Sequence, residues 1–592
     1  MVFGRHINRY YLKYSPLLLF GILALVLVDY FQLLIPELYR MVINGANTGV
    51  VELVGVVREF NMEFVLEEIC VPMIVVIVAM VVGRFLWRVC FFGASIRLET
   101  DLRARMFDHS KNLSQEFYQR NKVGDLMSLF TNDLETVQSC FGEGTLMLFD
   151  VLLLGSLALV KMISMSPLLT LLSMVPMVFL FVVSLIVGKY MRKKWAIRQA
   201  AFSHISDFTQ ENFSGIAVVK AFAKEAREIW AFKKLNKENE DANIVYTRAS
   251  TLLRVFSIFF VESVLCIILG FGGYLVYEGT FNAGELIEFI TYFSTIIWPI
   301  MAISQLIEMN SRGAASLDRI SVLLDQKPTV TDGEGARDVG TLSGNIELSS
   351  LTFSYPGVER PALKNVSFDI KAGESVGIIG KTGSGKTTIV DLMLHIYNLP
   401  RGMMFFDGVD VNDITIESLR RNIAYVPQDN FLFSDTIENN IAFAMDTHTS
   451  EQVVRSATLA NVHDNISEFS EGYSTVLGER GITVSGGQKQ RISIARALLK
   501  DASILILDDS VSAVDTDTER VILGNLRRER EGKTTILIAH RISTVSGMDK
   551  IIFIDEGEVI DVGSHEELLL RCGEYRRTVE LQRLEDSASH NS

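Results

Sequence analysis

The sequence predicts a chain of two unlike parts: an α-helical polytopic membrane domain with six transmembrane helices, fused to an α/β domain built around a phosphate-binding loop. Three observations predict it. Six long apolar stretches crowd between Pro16 and Ile307. A full GxxxxGK[ST] pattern stands at 380–387, directly behind a short apolar run. The composition, 48% hydrophobic and 21% charged over 592 residues, suits one strongly apolar part joined to one of ordinary composition.

The same composition excludes disordered, collagen-like and disulfide-scaffold classes. Cys70, Cys90, Cys140, Cys266 and Cys572 are scattered without a CxxC pair, so neither a zinc site nor a disulfide framework is supported, and each is expected to be a small core residue. A net charge of −14 gives no global attraction to nucleic acid, and none is expected as a partner.

The apolar stretches lie near 16–38, 67–93, 145–165, 167–188, 255–277 and 283–307, each close to the roughly 20 residues that cross a ~30 Å hydrocarbon core. The first runs from Leu17 past Leu34 with no small-residue cleavage pattern, and reads as a retained anchor rather than a signal peptide. Arg5, Arg9 and Lys13 precede it, and Lys189, Arg192, Lys193, Lys194 and Arg198 follow the fourth stretch. The turns at Ser166-Pro167 and Glu278-Gly279-Thr280 carry no such charge, which places the N-terminus and the long connections on the cytoplasmic side of a cell membrane. Those connections, 94–144 and 189–254, are helix-patterned and expected to extend the membrane helices into the cytoplasm. They turn around Phe117–Leu126 and Asn212–Ile216.

Boundaries follow from these shifts: a membrane domain over 1–320, a linker over 321–345, an α/β domain over 346–585 and a tail over 586–592. The apolar run Val376–Ile379 precedes Gly380-Lys381-Thr382-Gly383-Ser384-Gly385-Lys386-Thr387, and Thr388 continues into a helical pattern. Glycines let main-chain N–H groups wrap phosphates, Lys386 reaches the β/γ-phosphates, and Thr387 offers a hydroxyl to Mg²⁺. Ile504–Leu507 reads as a buried strand delivering Asp508-Asp509 beside that ion.

The order of the remaining motifs carries a resemblance. Tyr425-Val426-Pro427-Gln428 lies between the phosphate loop and Asp508; Val484-Ser485-Gly486-Gly487-Gln488-Lys489-Gln490-Arg491 precedes Asp508; Ser512-Ala513-Val514-Asp515 and Ile538-Ala539-His540-Arg541 follow it. From about residue 10 to 580 the chain resembles an ABC exporter half-transporter, six membrane helices and one ATP-binding cassette that work as a dimer. The resemblance implies ATP and Mg²⁺ as cofactors and a cassette site in which Tyr355 stacks on adenine. Gly380 to Thr388 would hold the phosphates; Thr387, Gln428 and Asp508 would hold Mg²⁺; His540 would contact the γ-phosphate. Ser485, Gly486, Gly487 and Gln488 would engage ATP held by the other subunit. Gly478-Glu479-Arg480-Gly481 resembles a cross-subunit loop, and the two turns noted above resemble coupling helices.

One position departs from the pattern. Where an active cassette carries glutamate as general base, this chain has Asp509. The carboxylate retreats by roughly 1–1.5 Å, an error that can cost about 10²-fold where geometry sets the barrier, and loss of a positioned base costs about 10²–10⁴-fold. ATP binding through Lys386, Thr387, Asp508 and Tyr355 is expected to survive while hydrolysis is poor. With Ser485–Gln488 intact, the chain resembles the degenerate-site, BmrC-type subunit of bacterial heterodimeric multidrug exporters. The expected function is thus one subunit of a heterodimeric exporter of amphipathic drugs or lipids, with a second half-transporter, the bilayer and a hydrophobic or amphipathic small molecule as partners. A slow homodimer exporting lipids or peptides, and a membrane protein regulated by ATP without pumping, are the alternatives. Glu262, among Phe256, Phe259 and Phe260, is the candidate cavity carboxylate for lipophilic cations or else a carboxylate bonded between helices, while Asp29 and Glu308 are expected nearer the membrane surfaces.

Overall fold

The structure, a computed structural model, describes residues 4–53, 56–478, 484–512 and 514–590. It divides into two units, Met1–Lys111 with Val123–Gln326, and Asn112–Lys122 with Lys327–Ser592.

Six long helices make up the first unit: α1 Ser15–Thr48, α2 Val71–Lys111, α3 Leu134–Met165, α4 Pro167–Ser214, α5 Glu225–Tyr277 and α6 Ala283–Asp325. Each predicted apolar stretch falls on one of them, the second entering α2 through a π-helical turn at Val65–Cys70. Five lie in helical segments long and apolar enough to cross a membrane, and α4 opens with a shorter apolar segment, Pro167–Leu180. Local chemistry sets their ends. Ser166 Oγ accepts from Leu169 N, with Pro167 at the first helical position where its missing N–H costs nothing. Asn282 and Glu285 form a reciprocal capping box at the start of α6. A short hairpin, β1 Val50–Leu53 and β2 Val56–Glu59, joins α1 to α2.

Helices α1, α2, α3 and α6 pack as a bundle, whereas α4 and α5 pack chiefly on each other. Only 11% of the apolar window of α5 is buried, against 39% in α1 and α6, so α5 leaves most of its apolar surface uncovered within one chain. In the bundle, Tyr292 is fully buried and donates to the Leu33 carbonyl at 3.2 Å, and Arg40 pairs with Glu288 at 3.3 Å.

The side chains singled out in the sequence can now be placed, and the expectations for Glu262, Cys266 and the end of the membrane domain need correction. Asp29 lies mid-way along α1 at 1% exposure, in a pocket that Arg84 of α2 and Asp150 of α3 also line. Glu262 is exposed on α5 and makes no hydrogen bond or ion pair within the chain among the described residues. Its neighbours Phe256 and Phe259 are also exposed, and Phe260 packs on Phe179 with ring centroids 5.2 Å apart. Glu308 is exposed on α6 near Arg312. Cys90, Cys140 and Cys572 are core residues, but Cys266 faces outward. Helix α6 runs to Asp325, beyond residue 320.

In the second unit, strands β3 Ile346–Phe353, β4 Leu363–Ile370, β6 Met404–Phe406 and β7 Val409–Asp410 form an antiparallel sheet. A second sheet runs β12-β11-β5-β10-β9-β8, from β5 Ser375–Gly380, β8 Ile423–Val426, β9 Ile504–Asp508, β10 Thr534–Ala539, β11 Lys550–Asp555 and β12 Glu558–Gly563. The contiguous pairs β11-β5-β10-β9-β8 are parallel and only β12 is antiparallel. Parallel strands covered on both faces need continuous apolar runs, which β9 and β10 supply with every residue buried. Residues 112–122 cluster with this unit, where Gln119 Oε1 accepts from Tyr397 Oη at 2.7 Å.

Candidate functional site

Parallel pairing brings the carboxyl ends of β5, β8, β9 and β10 to one edge, the usual position for a ligand in an open α/β sheet. The loops leaving that edge line a cleft of about 310 Å³.

From β5 comes the phosphate loop. A side chain on Gly380 would collide with the carbonyl of Ile554, so the strand can end there only with glycine. Gly385 caps the next helix, α7 Lys386–Met393, at φ +98°, where a Cβ would also meet Leu363 Cδ2 at 2.6 Å. Thr382, Gly383, Gly385, Lys386, Thr387 and Thr388 line the cleft. Lys386 is 6% exposed and folds back to donate to the Gly380 and Lys381 carbonyls at 2.8 Å each. Burial pushes its ammonium below the usual lysine range, opposed by Asp508 and Asp509. The side chains of Lys381 and Ser384 do not line the cleft: Lys381 pairs with Asp555 at 2.8 Å and Ser384 is buried.

Asp508 ends β9 at 2% exposure beside Thr387, and its Oδ2 has no partner among the described residues. Burial raises its pKa first, with a further rise from Asp509. A buried, half-satisfied carboxylate beside a threonine hydroxyl is a hard-oxygen donor set that fits Mg²⁺. Asp509 lines the same cleft from the left-handed region, at φ +47°, a conformation that aspartate tolerates better than most residues. Its N–H donates to the Ile538 carbonyl at 3.0 Å, which ties the turn to β10.

Gln428, exposed after β8, and His540, half-buried after β10, complete the rim. Tyr355 lines one side, its hydroxyl 2.8 Å from Thr388 Oγ1 and its ring edge-on to Phe353 and Tyr397. Ser485, Gly486, Gly487 and Gln488 are not part of this cleft. They open α8 Gly486–Lys500, where Ser485 Oγ accepts from Gln488 N at 3.3 Å and Gln488 Oε1 accepts from Ser485 N at 2.9 Å. A Cβ on Gly486 would meet open space, so the start of this helix is free to approach another molecule. Glu479, Arg480 and Gly481 of the expected cross-subunit loop, and Ala513, lie outside the described residues.

Two further residues support the cleft without lining it. Gln582, on α9 Gly573–His590, donates to the His540 carbonyl at 2.7 Å and accepts from Ile542 N at 2.8 Å. Gln490 donates to the Asp509 carbonyl. Gln490 stands inside a motif already singled out by sequence, but no local pattern marks Gln582.

Residues 18–300 match the family described as ABC transporter transmembrane region, and residues 363–512 match the ABC transporter family. A multidrug resistance-like ATP-binding protein, MdlA of Escherichia coli (strain K12), is 35% identical, covering 96% of this chain and 95% of its own length. The chain is an ABC transporter of the exporter type. A probable multidrug resistance ABC transporter ATP-binding/permease protein, YheI of Bacillus subtilis (strain 168), is 34% identical to this exporter chain and covers 98% of it and 97% of itself. An ATP-dependent lipid A-core flippase of Syntrophus aciditrophicus (strain SB) is 33% identical, with 87% and 86% covered. The exporter fold is also that of a bacterial Atm1-family ABC exporter with ATP bound, at TM-score 0.75 and 24% identity, covering 97% of this chain and 98% of that one. This exporter is thus a multi-span membrane protein with a C-terminal ATPase domain.

Proposed function

We propose that this chain is one half of an exporter of amphipathic drugs or lipids in the cytoplasmic membrane, and that it pairs with a different half-transporter carrying the stronger catalytic base. The observation that carries the reading is Asp509, a short carboxylate where the attacking water needs a long one, in a chain whose Ser485–Gln488 segment is intact and lies outside its own cleft. The little-covered apolar surface of α5 supports a dimer, and the multidrug and lipid names of the relatives support the substrate range.

In this reading Tyr355 stacks on adenine, and the main chain of Gly380–Thr388 with the Lys386 ammonium receives the phosphates. Thr387, Gln428 and Asp508 are the residues that would hold Mg²⁺, which when bound offsets phosphate charge. His540 meets the γ-phosphate and Asp509 orients water weakly. Ser485–Gln488 present helix N–H groups to the ATP held by the partner, where most hydrolysis occurs. ATP draws the cassettes together, and hydrolysis at the partner's site releases them. The segments around 117–126 and 212–216 pass that movement to the membrane helices.

The test compares ATP turnover of the purified chain alone with that of the co-expressed pair. Low turnover alone, restored by the partner, is expected. Turnover alone that equals the pair's supports a homodimer in which aspartate suffices.

A further inference from the structure

At the amino edge of the parallel sheet, opposite the ATP cleft, a cavity of about 330 Å³ lies between β9, β10 and the helix Thr516–Glu529. It shares no lining residue with the cleft. Leu507, Leu523, Leu526, Leu537 and Met548 supply the apolar part of its lining, and Arg527, Arg530 and Thr535 bring polar groups. Arg530 is 6% exposed and forms no ion pair among the described residues. Its terminal nitrogens donate to the main-chain carbonyls of Ala502, Ser503 and Thr534, and its Nε has no partner among the described residues. Thr535, also 6% exposed, carries a second unpartnered atom, Oγ1. Two buried polar groups left open beside one cavity call for an explanation.

Burial pushes the Arg530 guanidinium down to about 10, opposed by the carboxylate of Asp501, which is itself paired with Lys533 at 2.6 Å. The two acids of the lining, Glu531 and Asp549, contribute nothing to that opposition. Asp549 accepts from the Ser375 N–H at 2.9 Å, and Glu531 is exposed to solvent. Arg527 also forms no ion pair among the described residues, and it donates to the Gly547 carbonyl at 2.8 Å. A buried cation without a counter-charge is costly. A cationic guest would add to that cost, and a neutral one would leave it. A carboxylate matches a guanidinium in charge and shape, and a hydrocarbon body suits the leucines behind it. We propose that this cavity binds a small organic carboxylate, with Arg530 as the counter-charge and Leu507, Leu523 and Leu537 against the apolar body. The inference goes beyond the export reading and does not rest on it, since it uses no residue of the ATP cleft or of the membrane helices.

The experiment uses the full chain in lipid nanodiscs and equilibrium dialysis of a radiolabelled probe, with empty nanodiscs as the reference for partitioning into lipid. The probe is hydrocinnamate, an aryl carboxylate, beside its neutral amide, hydrocinnamamide. The acid should bind saturably, and the amide about tenfold or more weakly. Arg530→Met should weaken the acid by about tenfold or more while leaving the amide as it was. If Arg530→Met fails to assemble, Leu523→Phe narrows the cavity with every charge kept and should block the acid. Equal affinity for acid and amide, or unchanged affinity for the acid in Arg530→Met or Leu523→Phe chains that still bind ATP, overturns the proposal. Competitive displacement of the probe by ATP places it in the ATP cleft and overturns the proposal as well. Acetate that competes as strongly as hydrocinnamate marks an anion site without an apolar half, and that result too overturns it. Because binding is read without turnover or transport, an exporter that fails to pump in vesicles leaves this result standing.

Discussion

Gln490 donates its Nε2 to the main-chain carbonyl of Asp509 across 3.1 Å. The first turns of α8 are thereby fixed to the turn that carries this chain's own carboxylate, one turn on from the exposed Ser485 and Gly486 that open the same helix. A change at either place reaches the other through a single side chain. Replacing Gln490 by Ala removes a hydrogen bond to a strained turn, worth about 1 kcal/mol, and should lower ATP turnover about fivefold with ATP affinity unchanged. Initial rates over an ATP titration separate the two effects.

Asp509→Glu should raise turnover of the assembled exporter, because the longer side chain carries the carboxylate forward. The gain is smaller than reach alone suggests. Glutamate is less at ease than aspartate at φ +47°, a strain of order 1 kcal/mol. No gain in single-turnover hydrolysis would show that the shorter base is not the defect.

Ser485 and Gly486 should matter more to steady-state hydrolysis than Lys386 does, since they complete the partner's site while Lys386 holds ATP in the weaker one. Gly486→Asp puts charge where phosphate is expected, and Ser485→Ala also loses a helix cap worth about 1 kcal/mol. Thermal melting of each variant isolates the cap loss, and reversed ranking in the ATPase assay counts against an asymmetric pair.

Burial of Asp391 on α7, with Asp508 nearby, raises its pKa to about 6. Between the unfolded value of about 3.9 and this one, the native state binds more protons than the unfolded state, so stability falls as pH rises through that window. Asp391→Asn should remove that fall and raise stability at pH 7 by about 1 kcal/mol, after allowing for solvent screening of a partly exposed group. Nucleotide-free melting curves from pH 4 to pH 7.5 check it.

Gln582→Ala should loosen the turn bearing His540, which it grips at both the His540 carbonyl and the Ile542 amide. The expected signature is a reduced turnover rate with unchanged ATP affinity, and recovery in Gln582→Glu only at the amide contact, since a carboxylate accepts but cannot donate.

What the sequence made legible was local. The phosphate loop announces itself because Gly380, Gly385, Lys386 and Thr387 must follow one another for the backbone to turn tightly and meet phosphate. Asp508 could be read because a fully buried parallel strand is a short unbroken apolar run. Gln582 could not, since its partner lies 42 residues away on a different element. The surroundings of Asp29 were hidden for the same reason. A linear count of the span says nothing of Arg84 and Asp150, which reach it from α2 and α3.

The four site-bearing loops leave the sheet after β5, β8, β9 and β10, spread over residues 380 to 540, and no continuous stretch of chain holds the cleft. Inheritance is constrained accordingly. A recombination breakpoint anywhere inside that span splits the site between two parents whose strands must still share one register. Chimeric exporters should therefore retain ATP turnover when the crossover falls in the linker before Ile346, and lose it when the crossover falls between Thr387 and Asp508.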